Sequence, residues 1–394
     1  MAERNLDFDM IIDRKNTGCL KYDFAIKHGM PEDVLPLWVA DMDFKTSSYV
    51  QDAIIRQGER GIYGYDESTE SYFEALSAWF LKHHDFKIKP EWLVKTPGVV
   101  FALAMAVKAY TREGDAVMIQ RPVYYPFSAV IEDNERKIVD NTLVSDENGR
   151  YHMDLADFEA KIVKEKVRLF FLCNPQNPVG RVWSREELEA IGDICCKHQV
   201  IVVSDEIHAD FVFQGKHQVF ADLKEEFKDI SVICTAPSKT FNIAGLQVSN
   251  IFIPNRELRQ RFKKQIAAAG YSQVNGAGLA ACEAAYRYGE QWYQGMLSYI
   301  RENISYMKAF LEERLPQITM LEPEGTYLVW VDFRGLKLSE EELEALIIHK
   351  AKLWLDAGGI FGETGKGFQR INTACPRATL KKALEQLEQA VAAF

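Results

Sequence analysis

The sequence predicts an α/β protein, a mostly parallel sheet flanked by helices, followed by a smaller α+β unit. Three observations predict it. Short apolar runs alternate with helical patterns through the first two thirds of the chain. A well-capped helix lies between two of those runs, and strand, helix, strand in that order makes a parallel pair joined by a crossover. The last third instead shows isolated alternating strands before a closing amphipathic helix. At 394 residues the chain exceeds one ordinary core, which argues for about two packed units.

The predicted strands are Ala116–Ile119, Val167–Cys173, Val200–Val203, Ser231–Cys234 and Val248–Ile253. Each is short, mostly apolar and rich in Val, Ile and Phe, as strands buried on both faces should be. Thr96-Pro97-Gly98-Val99-Val100 leads into an apolar helix over Phe101–Tyr110. Ser184 followed by Glu187 makes a capping box, after which Leu188, Ile191 and Cys195 recur on one helical face. The smaller unit is entered between Ala285 and Tyr306. It holds strands at Tyr327–Phe333 and Gln369–Thr373, and a final helix over Thr379–Phe394 with Leu380, Leu384, Leu387 and Val391 on one stripe.

Composition narrows the function. The formal net charge is −10, with acidic residues scattered along the chain, and nucleic-acid binding needs a clustered Lys/Arg surface instead. The longest apolar stretch, Val99–Val107, falls far short of the roughly 20 residues that span a bilayer, and the opening MAERNLDFDMIIDRKN has no apolar signal core. Seven cysteines, an odd number with no C-x-x-C, read as free thiols in a reducing cytoplasm. Cys195 and Cys196 fall on a helix, and Cys173 and Cys234 end apolar strands, so buried small hydrophobes are the expected role. His83 and His84 are adjacent and diverge, and no ligand spacing recurs, so no metal site is expected.

In parallel sheets ligands bind beyond the carboxyl ends of the strands. Three strand ends here are followed by Asn174-Pro-Gln-Asn-Pro-Val-Gly180, by Ser204-Asp205-Glu206-Ile207-His208 and by Thr235-Ala-Pro-Ser-Lys239. Alone, each has a plain explanation: a turn, a helix N-cap, a solvated lysine. Together they offer an amide, a carboxylate and an amine to one crevice. Pyridoxal phosphate catalysis needs such a set. An amine bonds the cofactor's aldehyde, a carboxylate holds the pyridine nitrogen protonated, and a neutral donor meets the phenolate oxygen. The phosphate requires N–H groups at a helix start, which the segment from Thr96 supplies.

On these residues the chain resembles the fold-type-I pyridoxal-phosphate enzymes, the aspartate-aminotransferase-like superfamily of class I/II. The matching segments are NPQNPVG, SDEIH, PSKTFNIAGL and FQRINTACPR. Their order and spacing agree with the family over nearly the whole chain. The resemblance implies a seven-stranded, mostly parallel sheet in a large cofactor-binding domain, residues 46–285. It also implies a small α+β domain at 286–394 and an N-terminal segment, 1–45, packed with that small domain. It implies that Lys239 bonds the cofactor, that Asp205 partners the pyridine nitrogen and that Asn177 contacts the phenolate oxygen. Tyr124, in RPVYYPF, resembles the aromatic residue stacked on the ring. Val99, Val100 and Ser238 resemble phosphate contacts, and Arg370 resembles the arginine that grips the substrate α-carboxylate. Asn177 and Ala40, the latter in WVADMDF, are read as substrate-facing. Tyr63, in GIYGYDES, resembles a residue that reaches the neighbouring subunit's phosphate, which implies a homodimer with shared sites.

Two positions depart from the common pattern. His208 stands where the family commonly has tyrosine and is read as a cofactor contact there. Gln247 stands where it commonly has a phosphate-binding arginine. Both departures, with WVADMDF and SKTFNIAGLQ, resemble the MalY/PatB branch of cystathionine β-lyases and other C–S lyases. That resemblance implies β-elimination: Lys239 removes the Cα proton of cystathionine or a similar S-substituted cysteine, the thiol leaves, and pyruvate and ammonia are released in turn. Tyr124 or Tyr63 is the candidate acid for the leaving sulfur. Transamination of a small or aromatic amino acid is the alternative, since it shares the Cα deprotonation. An alternative of another class is a protein-binding regulator of a transcription activator.

Overall fold

The computed structural model describes residues 2–147 and 149–393. Seven strands, β1 (Leu93–Thr96), β2 (Ala116–Ile119), β3 (Lys137–Asp140), β4 (Leu169–Cys173), β5 (Ile201–Asp205), β6 (Ser231–Thr235) and β7 (Ser249–Phe252), form the main sheet. Their order is β1-β7-β6-β5-β4-β2-β3. Neighbours run parallel except at β7, which is antiparallel to both β6 and β1.

The central strands β4, β5 and β6 are buried at nearly every position because both faces are covered. Leu169, Phe171 and Cys173 pack into one core beneath the helices Val99–Tyr110 and Arg256–Ala268, while Phe170 and Leu172 point into the other. The crossover between β4 and β5 is the helix Arg185–His198, whose capping box between Ser184 and Glu187 is formed on both sides. Strands β1 and β3 fall outside the expected set. They are the sheet edges, and their mixed burial breaks the apolar run that marks the interior strands. The apolar helix begins two residues before the expected Phe101, at Val99.

A second, antiparallel sheet comes after the long helix Glu290–Arg314. Its strands, β8 (Thr319–Met320), β9 (Leu328–Asp332), β10 (Asp356–Ala357) and β11 (Phe368–Asn372), lie in the order β8-β9-β11-β10. The closing helix runs from Arg377 to Ala392, and its expected end at Phe394 lies outside the described residues. The N-terminal segment joins this second unit, for Leu35–Pro36 pairs in parallel with Leu353–Trp354.

Two charged clusters fix the parts around the crevice. Lys21, fully buried, meets Asp43 at 2.8 Å, and Arg14 bridges Asp41 and Asp43 at 2.5 and 2.7 Å. Buried charge requires such pairing. Glu324 accepts from Arg181 Nε and the Val182 N–H, both at 2.9 Å, and from Arg150 Nε at 2.8 Å. This ties the approach to β9 onto the loop after β4. Close contact there requires Gly180: its φ is +72°, and a Cβ would meet Pro323 at 3.0 Å.

Candidate active site

The register of β4, β5 and β6 aligns their carboxyl ends, with Cys173 opposite Asp205 and Asp205 opposite Cys234. Asp205 is the last residue of β5. Lys239 comes after β6 in the short helix Pro237–Thr240, and Asn177 lies in the turn after β4. One cavity is lined by Lys239, Asp205, Asn177, Tyr124, His208, Ser238, Val99, Val100 and Ala40, together with Cys173 and Gln247. Two residues singled out from the sequence are not in its lining. Arg370, the third residue of β11, sits behind Asn177 and donates to its Oδ1 at 3.0 Å. Tyr63 is 77% exposed, and its hydroxyl donates to the Gly58 carbonyl at 2.8 Å.

Electrostatics within the cavity separate the groups. Burial lowers the Lys239 amine to about 8, and the nearby Arg370 charge adds to that effect. Its Nζ donates to the Ala40 carbonyl at 2.7 Å. Burial raises the Asp205 carboxyl to about 7, against the pull of the Ile207 N–H and of Lys239. His208 is held well below the usual imidazole range by burial, with Lys239 and Arg370 opposing its charge further, so the ring is neutral. Tyr124 is pushed above the usual phenol range, again by burial, and stays protonated.

These residues fit pyridoxal phosphate. Asp205 is a buried carboxylate facing the cavity, suited to a protonated ring nitrogen. His208 Nδ1 is buried and has no partner among the described residues, so it has hydrogen-bonding capacity to offer. The helix Val99–Tyr110 opens at the cavity with no side-chain cap among the described residues, leaving the N–H groups of Val99 and Val100 for an anion. Gln247 brings an amide, not a cation, to the same lining.

Several functional neighbours were missed from sequence. The strap Trp38–Phe44 brings Ala40 into the cavity wall and is held by side chains from three distant segments. Asn242 accepts the Met42 N–H and donates to the Met42 and Phe44 carbonyls, each at 2.9 Å. Asn372 donates to the Val39 and Asp41 carbonyls at 2.8 and 2.7 Å. Tyr327 donates to the Ala40 carbonyl at 2.9 Å. Asp356 pairs with Arg370. A lone acid in the apolar run Leu353-Trp-Leu-Asp356-Ala was the signal for the last. Cys173, expected to be plain core, is a buried thiol in the cavity wall.

Comparison with known proteins agrees with this geometry. The family model for aminotransferase class I and II matches residues 32–387. Cystathionine beta-lyase PatB of Bacillus subtilis is 42% identical over 387 residues, covering 98% of this chain and 100% of that one. Protein MalY of Escherichia coli is 30% identical, covering 98% and 99% of the two chains. Among solved structures, cystalysin from Treponema denticola, which contains a pyridoxal 5′-phosphate cofactor, superposes with a TM-score of 0.94. It is 38% identical and covers 98% and 99% of the two chains. The chain belongs to the class I and II aminotransferase family.

Proposed function

We propose that this chain is a pyridoxal-phosphate-dependent C–S β-lyase that cleaves L-cystathionine or a related S-substituted cysteine to a thiol, pyruvate and ammonia. The single observation that carries the reading is the meeting of Lys239 and Asp205 in one buried cavity. The full-length likeness to PatB and cystalysin selects the reaction type. Bound there, pyridoxal phosphate withdraws electrons from the substrate's Cα, which acidifies that hydrogen and lets the β-sulfur depart. Lys239, with its amine lowered to about 8, holds a useful neutral fraction near neutral pH and takes the Cα proton at Nζ. Asp205 holds the ring-nitrogen proton, and Val99, Val100 and Ser238 take the phosphate. Tyr124 covers the ring, and Arg370 orients the substrate through its carboxylate.

The test is direct. Purified holoenzyme incubated with L-cystathionine and no added 2-oxo acid should release pyruvate and homocysteine in equal amounts. Turnover that requires a 2-oxo acid would identify a transaminase and defeat the reading.

We further infer a homodimer acting in the cytoplasm. Ile62, Tyr63 and Tyr65 are 78%, 77% and 93% exposed on one short segment, an apolar surface that favours burial against a second copy. Tyr63 would then complete the neighbouring subunit's phosphate site. The seven unpaired thiols suit a reducing compartment. We divide the chain functionally into residues 1–45, 46–285 and 286–394, as the resemblance implies.

A further inference from the structure

Arg370 is already occupied. Of its five N–H donors, one on Nη1 goes to Asn177 Oδ1 at 3.0 Å, and the two on Nη2 go to the Trp38 carbonyl at 3.1 Å and to Asp356. The Nε–H is buried without a partner among the described residues. A carboxylate gripped by two parallel N–H bonds needs Nη2 together with either Nε or Nη1. Neither fork is open while Nη2 keeps both partners.

One partner of Nη2 must therefore yield to a substrate carboxylate. The Trp38 carbonyl belongs to the strap, whose flanking positions are pinned: the Leu37 N–H donates to the Trp354 carbonyl at 2.9 Å, and Asn372 holds the Val39 and Asp41 carbonyls. Asp356 is a side chain opposite Arg370 across the β10–β11 pair, and it moves by rotation alone.

Charge decides the outcome of that exchange. Arg370 and Asp356 are 3% and 6% exposed and together neutral. A second carboxylate brought to the same buried arginine leaves one uncompensated negative charge, and proteins relieve such charge by protonation. The other titratable groups facing Asp356 are Tyr124 and Tyr125, both protonated and above the usual phenol range through burial. Neither supplies a positive charge. Burial already holds the Asp356 carboxyl above its ordinary range against the pull of Arg370.

We propose that Asp356 is the resident counter-ion of Arg370 and takes up one proton from solvent when the substrate α-carboxylate displaces it. This rests on the reading that Arg370 receives that carboxylate. Asp356 thereby sets the affinity of the carboxylate subsite and makes it depend on pH. Loss of the counter-ion should tighten that subsite and remove the dependence.

Propionate, a carboxylate without an amine, isolates the step from titration of the substrate amino group. Calorimetric titration of propionate into holoenzyme at pH 8, in two buffers of different ionisation enthalpy, counts the protons taken up. The wild type should take up about one proton per propionate, with affinity weakening about tenfold per pH unit above the Asp356 pKa. Asp356→Asn should take up none, bind more tightly at pH 8 and lose the pH dependence. No uptake in the wild type overturns the proposal, even if the variant does not fold. Equal uptake in both proteins overturns it as well. Failure here alongside pyruvate release from cystathionine leaves the lyase reading standing. The converse pattern removes the lyase and keeps the counter-ion.

Discussion

Lys239 and Tyr327 share one acceptor: the Nζ and the hydroxyl donate to the Ala40 carbonyl at 2.7 and 2.9 Å. Two donors on one oxygen divide its acceptor strength, and Tyr327 also pins that oxygen in place. Tyr327 is thus a positioning residue for the amine. Tyr327→Phe, which keeps the ring, should leave the carbonyl wholly to the lysine and favour the ammonium. We expect the acid limb of the kcat profile to move to higher pH and kcat at pH 7 to fall about fivefold, the effect of about 1 kcal/mol. An unmoved pH profile with a lower melting temperature would assign Tyr327 a purely structural role.

Asp205 makes the cofactor-free protein sensitive to pH. Its carboxyl titrates at about 7 when folded and at about 3.9 when unfolded. Between those values the folded state holds a proton that the unfolded state has lost. Stability from this group is therefore full below about pH 4 and lost as pH rises to 7, by on the order of 4 kcal/mol. Asp205→Asn should make the stripped protein more stable than wild type at pH 8 and equal to it near pH 4, as read by urea unfolding. The same substitution should lower holoenzyme turnover at least about a hundredfold, since the ring nitrogen loses its counter-charge.

Asn242 holds the strap by three hydrogen bonds through one amide. Asn242→Ala strands the N–H of Met42 and the carbonyls of Met42 and Phe44. The expected loss is about 2 kcal/mol of stability, with faster hydrogen exchange across residues 38–44 and a raised KM. Unchanged exchange in that segment would show that the remaining contacts, from Asn372, Tyr327 and the ion pairs of Lys21 and Arg14, hold the strap without Asn242.

Subunit mixing tests Tyr63. Lys239→Ala and Tyr63→Ala homodimers should each be nearly inactive. Unfolded together and refolded as an equal mixture, half the dimers are hybrids, each with one intact site, so about a quarter of wild-type activity should return. No recovery would place Tyr63 outside the neighbouring site.

What the sequence made legible tracked burial. Strands β4, β5 and β6 are covered on both faces, and a short, mostly apolar run is the trace that leaves. Lys137 and Lys95 on the edge strands interrupt that trace, so β1 and β3 could not be read. Lys239, Asp205 and Asn177 were legible because consecutive parallel strands end at one crevice, a matter of local order in the chain. Tyr327 and Asp356 were not, because their roles come from partners far away: Ala40 is 287 residues from Tyr327, and Asp356 meets Arg370 only through the register of two short strands. His208 and Gln247 were visible only as departures from a family pattern, and their place in the cavity lining needed coordinates.

The Glu324 carboxylate, anchored at once by Arg150, Arg181 and a main-chain amide, acts as a rivet between the two sheets. A riveted pair shares its fate on heating: neither layer loosens until the other does, and the chain should lose its structure in one cooperative step. With the rivet cut, as in Glu324→Ala, calorimetry should resolve two transitions where the intact protein gives one.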